Sequence, residues 1–251
     1  ANMYHYNIIL CNADKRKEKE IRVVNTLLEK QVDGLLFMGG SITEDHLEAF
    51  RTSTVPIVLC ATADETGTMP SVDIDHEKAA FDAVSRLISE GHRNIAMISG
   101  TLQDPTTGYA RFQGYRKALE HAGLPYREDY VRAGNYRYES GMEATRYFLQ
   151  LPERPTAIFA ANDEMAIGAI HAIQDAGLKV PGDISVIAID NIRLAEMVRP
   201  ELTTVAQPMY DIGAVAMRLL TKLMRKEHVD QTRVILPHEL KVRRSTAAPA
   251  G

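Results

Sequence analysis

The sequence has few cysteines and no long apolar run. Cys11 and Cys60 are its only cysteines, and each ends a short apolar run, which favours two reduced core thiols in a cytosolic protein over a disulfide. No apolar run approaches the roughly 20 residues that cross a bilayer, and no basic region precedes an apolar one at the N-terminus. Neither a membrane partner nor export is therefore expected.

An excess of positive charge and the common catalytic motifs are also missing. With 29 Lys and Arg against 33 Asp and Glu, the net charge is −4, so any DNA contact is expected outside this chain. None of the eight histidines pairs with another at a spacing of three or four residues, which excludes a helical metal site of that kind. The sequence contains no G-x-S-x-G, G-x-G-x-x-G or P-loop motif. We therefore predict a protein that is not an enzyme and needs no cofactor or metal.

Short apolar runs alternate with amphipathic segments along the whole chain. Its 251 residues, 45% hydrophobic and 25% charged, suffice for one large or two modest domains. The alternation predicts an α/β fold of βαβ units with parallel strands, and residues 247–251 are expected to fray. Strands are predicted over residues 6–11, 34–38, 55–60, 94–99, 130–133, 156–161 and 184–189. Helices are predicted between the last two strands and over residues 76–90, 111–121 and 208–225.

Polar side chains follow both strands of the unit over residues 156–191. The strands at 156–161 and 184–189 are continuous apolar runs, as expected of parallel strands covered on both faces. Because a helical crossover makes the two strands parallel, Asn162 and Asp190 are expected at one carboxyl edge, where open α/β sheets bind ligands. The alternative is that Asn162 or its neighbour only caps the helix and that Asp190 only starts a turn.

Six segments of the chain form a specific signature when they are taken together. They are VDGLLFMGG (32–40), GHRNIAMISG (91–100), RFQGYRKAL (111–119), ANDEMAIGAI (161–170), PGDISVIAIDN (181–191) and RPELTTVAQPMYDIGAVAMRLL (199–220). This set resembles the effector-binding core of the LacI/GalR family of bacterial transcription regulators and covers nearly the whole chain. The last segment is especially similar to the catabolite-control subfamily of Gram-positive bacteria.

The resemblance implies a fold of two Rossmann-like lobes, like that of type I periplasmic binding proteins, joined by three crossovers. The N-terminal lobe would combine residues 1–75 with 208–235, and the C-terminal lobe residues 76–207 with 236–251. Family members have a further strand and most of a helix before the position that matches Ala1. A helix-turn-helix headpiece that binds DNA precedes these elements, and such a headpiece is expected upstream of this chain.

The resemblance also implies an effector pocket. Arg111 matches an arginine that anchors a hydroxyl or carboxylate of the effector, for which its forked donors are suited. Tyr136 matches an aromatic residue that stacks on the effector, Asn162 and Asp190 match polar ligands to it, and Thr107 matches a small hydroxyl residue nearby. The alternatives are a surface salt bridge for Arg111 and a packed lid for Tyr136. Catabolite control proteins usually have Lys and Thr where this chain has Arg111 and Asn162, which favours a dedicated effector: a sugar, a sugar phosphate or a related metabolite.

The helix predicted over residues 208–225 has two apolar rows. One row can pack on its own lobe, whereas the second needs a cover, which predicts a homodimer contact. The second row consists of Gly213, Met217, Leu220 and Met224. The alternative is a helix buried between two elements of its own chain.

A third face of the same helix is positively charged, which is usual for a solvated face. Resemblance to the catabolite-control subfamily implies more, because Tyr210, Arg218 and neighbours such as Lys222 match the surface that receives the seryl-phosphorylated phosphocarrier protein. Arginine forms charge-assisted hydrogen bonds with phosphate, so Arg218 suits such a partner. That subfamily typically has arginine where this chain has Glu239, and an acid there repels phosphate. Together these features predict weak binding of the phosphoprotein.

The favoured interpretation is a homodimeric, cytoplasmic, ligand-gated transcription regulator of carbon metabolism, represented here by its effector-binding core. Operator DNA would be bound through the upstream headpiece. An effector that favours one arrangement of the lobes changes the DNA affinity, with a coupling free energy of about 1 to 3 kcal/mol. The rival interpretation is a periplasmic-type sugar-binding protein that delivers its ligand to a transporter.

Overall fold

The structure is a computed structural model that describes residues 5–13 and 16–250. The chain divides into two compact units, one formed by Ala1–Ile74 with Pro208–Leu236 and the other by Asp75–Gln207 with Pro237–Gly251. Within the described ranges, no helix combines the length and the apolar character that crossing a membrane requires.

Eight helices and ten strands are described, and their bounds in chain order are as follows. The helices are α1 (Lys17–Glu29), α2 (Glu44–Arg51), α3 (His76–Ser89), α4 (Gly108–His121), α5 (Tyr138–Leu149), α6 (Asp163–Asp175), α7 (Leu194–Met197) and α8 (Met209–Met224). The strands are β1 (Leu35–Phe37), β2 (Ile57–Cys60), β3 (Ser71–Ile74), β4 (Ile95–Ser99), β5 (Val131–Ala133), β6 (Ala157–Ala160), β7 (Ser185–Asp190), β8 (Thr203–Ala206), β9 (Arg233–Leu236) and β10 (Glu239–Lys241).

The first unit is built on a four-stranded parallel sheet in the order β1-β2-β3-β9. Strand β2 is buried along its whole length, which fits its continuous apolar sequence. Helices α1 and α2 contribute Val24, Leu47 and Phe50 to a core that includes Ile57 and Leu59 of β2. Helix α8 packs against β1, β2 and β3.

The second unit is built on a six-stranded sheet in the order β10-β8-β7-β6-β4-β5. The five strands from β8 to β5 in this order are parallel, and β10 pairs with β8 in the antiparallel direction. Strands β4 and β6 are buried throughout, as their apolar sequences predict. Asp75 caps α3 by accepting a hydrogen bond from the backbone N–H of Lys78, and Gly91 follows the helix with a φ of 104°. The predicted α/β fold with parallel sheets is confirmed.

The strand predicted over residues 6–11 is wrong. These residues form no ladder with any described strand, and Ile8 and Leu10 are 76% and 91% exposed. An apolar run becomes a strand only where a neighbouring strand pairs with its backbone. Cys11 is consequently exposed rather than a core thiol, whereas Cys60 lies in the core, where burial raises the pKa of its thiol to about 11.

Four strands were not predicted from the sequence: β3, β8, β9 and β10. Each has only three or four residues, and each contains polar side chains. Strand β8, with the sequence TTVA, is nevertheless buried, because its Thr203 hydroxyl accepts a hydrogen bond from the backbone N–H of Arg243. Threonine fits a pleated sheet when its hydroxyl forms a hydrogen bond. Strands of this kind are therefore missed when strands are predicted from apolar residues alone.

The chain near residue 247 is fixed rather than frayed. The carbonyl oxygen of Ala247 lies 2.9 Å from Nε2 of the buried His92, and its backbone N–H donates to the hydroxyl of Ser185. Ser245 is also buried and binds the backbone of β7 through Val186. Small residues at a chain end are therefore no indication of fraying where buried polar groups bind their backbone.

The second apolar row of α8 is partly covered within its own unit. Leu220 is 4% exposed, and Gly213, Met217 and Met224 are partly buried. A Cβ atom added to Gly34 would lie 2.9 Å from a methyl carbon of Leu220 and 3.0 Å from the sulfur of Met224, which shows how closely the row packs on residue 34. Leu220 is thus buried by its own unit, and a dimer contact of this row remains a prediction.

Candidate functional site

The carboxyl edge of the sheet in the second unit carries polar side chains from every parallel strand. The chain enters this edge directly after each strand, because the strands run in one direction. The side chains are Asp104 after β4, Tyr136 after β5, Asn162 after β6, Asp190 at the end of β7 and Gln207 after β8. Three of these positions are sequence-predicted site residues; Asp104 and Gln207 are not.

Arg111 on α4 is the central cation of this edge. Its side chain is 3% exposed, and one terminal nitrogen donates to the carbonyl oxygen of Ala161, which follows β6. The other two guanidinium nitrogens lie 3.3 Å and 3.2 Å from Nδ1 of His76. One of these two nitrogens is also 3.7 Å from Oδ1 of Asp190. Arg111 is therefore a buried, oriented guanidinium and not part of a surface salt bridge.

Asp190 is the carboxylate that faces this cation. Its side chain remains 26% exposed, and its Oδ1 accepts a hydrogen bond of 2.7 Å from Nε2 of Gln207. The backbone of Asp190 has a φ of 134°, and that of Tyr136 has a φ of 66°. Residues other than glycine adopt such angles at an energetic cost, and functional sites are among the places where they cluster.

Tyr136 lies across the backbone of the loop that follows β4. A Cβ atom at Gly100 would lie 2.0 Å from the phenolic oxygen, so only glycine leaves room for the ring. Burial raises the pKa of Tyr136 to about 12, Arg111 lowers it, and Asp104 and Asp190 raise it further. These mutual effects place the phenol, the guanidinium and both carboxylates in one cluster. At neutral pH the phenol keeps its proton.

Asn162 and Thr107 hold this cluster in place through backbone hydrogen bonds. Asn162 caps α6 by accepting a hydrogen bond of 3.1 Å from the N–H of Met165, and its amide donates to the carbonyl oxygen of Tyr136. Thr107 precedes α4, and its carbonyl oxygen accepts a hydrogen bond from the N–H of Arg111. The capping role of Asn162 is thus present, while contact with an effector remains a prediction for both residues.

Asp163 is a buried carboxyl group beside the cluster that sequence reasoning did not select. It accepts hydrogen bonds from the hydroxyl of Thr204 on β8 and, over 2.8 Å, from the N–H of Ile192. Burial and the nearby charge of Asp190 raise its pKa to about 7, although these hydrogen bonds act in the opposite direction. The carboxyl group ties the first turn of α6 to the segment after β7.

His76, Asp104 and Gln207 are the other residues that sequence reasoning missed. Asp104 and Gln207 each follow a strand of the same sheet, so the rule that selected Asn162 and Asp190 applies to them too. Strand β8 was not predicted, however, and the loop after β4 is long. His76 carries no sequence signal of its own, since its contact with Arg111 depends on how α3 packs against α4.

The positively charged face of α8 belongs to the first unit. Tyr210 is 87% exposed, and Arg218 and Lys222 are exposed as well. Neither cation forms an ion pair with another residue that the structure describes. Glu239 lies in the second unit, is exposed and pairs with Lys241 over 2.6 Å.

Comparison with known proteins gives the family. Residues 84–246 match the periplasmic binding protein-like domain. The chain is 54% identical to catabolite control protein A of Priestia megaterium, over 98% of this chain and 74% of that protein. It also superposes on the crystal structure of the transcription regulator CcpA of Lactococcus lactis with a TM-score of 0.92 and 42% identity, covering 98% of this chain and 89% of that one. The chain belongs to the LacI/GalR family.

A second solved structure extends the comparison of this LacI/GalR chain to a sugar complex. The transcriptional regulator CelR in complex with cellobiose has a TM-score of 0.83 and 33% identity, covering 92% of this chain and 71% of that one. The relatives of this LacI/GalR chain are transcription regulators, so the interpretation as a transport protein is not favoured. The chain is the ligand-responsive core of a transcription regulator of sugar metabolism.

Proposed function

We propose that the chain binds a sugar or sugar phosphate at the carboxyl edge of its second unit and thereby changes the DNA affinity of a headpiece upstream. The pair of the buried Arg111 and the partly exposed Asp190 carries this proposal, because it places a fixed donor and an acceptor 3.7 Å apart at the edge of the sheet. The protein would act in the cytoplasm and without catalysis, through a difference in the affinity of the effector for two states.

The side chains of this edge suit the chemistry of a sugar. Hydroxyl groups can accept hydrogen bonds from Arg111 and donate to Asp190, and charge assistance strengthens both bonds. The ring of Tyr136 offers an apolar surface beside them, as binding sites for sugars require. Oε1 of Gln207 is buried without a hydrogen-bond partner among the described residues, which leaves an acceptor for the ligand.

Isothermal titration calorimetry tests this proposal directly. The chain is titrated with cellobiose, glucose and glucose 6-phosphate, and at least one of them is expected to bind with one site per chain. In a full-length protein, saturating amounts of that ligand are expected to change the affinity for operator DNA by about five- to 150-fold. A chain that binds none of these compounds would contradict the proposed site.

We propose that the protein forms a homodimer, and the partly exposed members of the second row of α8 remain candidates for the contact. Met217→Glu is expected to weaken the dimer, since a carboxylate buried across a two-fold interface is costly. Leu220→Glu is expected instead to unfold the first unit, because Leu220 is 4% exposed there. Sedimentation velocity distinguishes these results. Lys222→Glu, on another face of the helix, is the control, and an undisturbed Met217→Glu dimer would place the contact elsewhere.

We propose weak binding of the seryl-phosphorylated phosphocarrier protein to α8. Arg218 and Lys222 lie four residues apart on an exposed face and form no described ion pair, so both can bind a phosphate. The acid Glu239, where the catabolite-control subfamily typically has arginine, is expected to weaken binding of the phosphoprotein by about 1 to 2 kcal/mol at moderate salt.

Surface plasmon resonance tests this partner. Binding is expected to be detectable but weak, to disappear in Arg218→Ala and to strengthen about tenfold in Glu239→Arg. The unphosphorylated phosphocarrier protein is the control and is expected not to bind. If the unaltered chain shows no binding and Glu239→Arg gains none, this partner is wrong and the effector site alone must receive the signal.

A further inference from the structure

His76 makes an unusual contact with the central cation of the candidate site. It is the first residue of α3, is 4% exposed, and places Nδ1 within 3.3 Å of two guanidinium nitrogens of Arg111. Arginine has donors and no acceptor, and it stays protonated in proteins. Nδ1 of His76 must therefore be the acceptor, which makes the imidazole neutral with its proton on Nε2.

The guanidinium plane is consequently held from two directions. The backbone carbonyl of Ala161 accepts from one terminal nitrogen, and Nδ1 of His76 accepts from the other two nitrogens. The N–H groups that remain include one on the nitrogen 3.7 Å from Asp190. With either anchor removed, the long arginine side chain regains rotational freedom, and the donors that remain lose their fixed direction.

We propose that His76 is the positioning residue of the effector site, whose Nδ1 fixes the guanidinium of Arg111 in its ligand-binding orientation. This inference rests on the proposed function of Arg111.

The charged groups on the elements around His76 have partners of their own. Helix α3 packs against α4, β6, β7 and β8. Helix α4 contributes Arg111, β7 contributes Asp190, and β6 and β8 contain no ionisable side chain. On the element of His76 itself, Asp75 accepts from the backbone of α3, and Glu77 pairs with Lys117 over 2.6 Å. Arg111 is thus the charged group in direct contact with Nδ1 of His76.

Two substitutions separate positioning from simple packing. His76→Asn places an amide oxygen near the position of Nδ1, so it keeps the acceptor. His76→Leu keeps bulk but removes the acceptor. Selective labelling of arginine with ¹⁵N gives a nuclear magnetic resonance signal for Nε–H of Arg111, which Arg111→Lys assigns. This signal needs no ligand.

The ligand-free spectra test the positioning role. In the unaltered chain and in His76→Asn, the Nε–H of Arg111 is expected to exchange slowly with water at about pH 8. His76→Leu is expected to abolish this protection, because it removes the acceptor at Nδ1. His121→Asn, on the exposed end of α4, is the control and should retain the protection of Arg111. Unchanged Arg111 protection in His76→Leu would overturn the positioning role.

Calorimetry then connects positioning to binding, with glucose 6-phosphate and cellobiose as the probes. His76→Leu is expected to bind the active probe about tenfold to a hundredfold more weakly, and His76→Asn about as tightly as the unaltered chain. If His76→Leu loses the Arg111 signal but keeps its probe affinity, His76 does anchor Arg111. Arg111 would then have no role in binding the effector, and the proposed role of His76 in effector binding would be overturned.

Discussion

Arg111→Lys is expected to reduce effector affinity by about tenfold to more than a hundredfold. Lysine keeps the positive charge but lacks the planar fork that binds His76, Ala161 and the ligand together. Each charge-assisted hydrogen bond that is lost costs about 1.5 to 3 kcal/mol. Arg111→Ala would abolish binding more completely, but it also leaves buried acceptors without donors, so its effect would include a loss of stability. Calorimetry with the probe that binds the unaltered chain measures the loss of affinity in both variants.

Asp190→Asn is the partner experiment on the opposite side of the pair. The amide keeps the shape of the carboxylate and still accepts a hydrogen bond from Gln207, but it no longer offers a charged acceptor to the ligand. Asp190→Asn is expected to reduce effector affinity by about as much as Arg111→Lys. Arg116→Lys, an exposed arginine on the same helix, is the control and should bind normally. Unchanged affinity in both Arg111→Lys and Asp190→Asn would place the effector elsewhere.

Asp163→Asn is expected to change how stability depends on pH. The pKa of Asp163 is about 7 in the folded chain against an ordinary value of 3.8. Between these two values the folded chain keeps a proton that the unfolded chain releases. The free energy of unfolding therefore falls as the pH rises, by up to about 1.4 kcal/mol per pH unit. An asparagine resembles the protonated carboxyl group and does not titrate, so the variant is expected to lose this contribution.

Urea unfolding at several pH values between about 4.5 and 7 gives the free energy of unfolding of Asp163→Asn and of the unaltered chain. The effect is the change with pH of the difference between these two free energies. Other titrating groups are common to both and cancel in that difference. Asp175→Asn, at the exposed end of the same helix, is the control and is expected to leave the difference near zero. Parallel pH profiles for Asp163→Asn and the unaltered chain would mean that the buried carboxyl group is ionised throughout.

The parts of the fold that follow a single physical rule were predictable. The run over 156–161 contains β6, and the run over 184–189 contains all but the last residue of β7, because a continuous apolar sequence between turn signals leaves a buried parallel strand as the natural outcome. Asn162 and Asp190 then lie at one edge because parallel strands end there. Because parallel strands end at one edge, the sequence predicted a ligand-binding site at that edge although it contains no catalytic motif.

The parts that depend on a partner element were not predictable. The run over residues 6–11 is as apolar as β2, but pairing decides whether such a run becomes a strand. The second row of α8 has the pattern of an interface, yet Leu220 packs near Gly34, a residue nearly two hundred positions earlier in the chain. The contact between His76 and Arg111 arises from the packing of two helices, and periodicity contains no information about it.

The two edges of the larger sheet determine how it can meet other chains. On one side β10 runs against β8 and is only three residues long, and on the other side β5 is also three residues long. Short edge strands offer few free backbone groups, so a neighbouring molecule cannot readily extend the sheet by adding a strand. Fibre formation by edge-to-edge stacking is disfavoured for this unit. Side chains rather than backbone ladders must then provide any specific association with another protein.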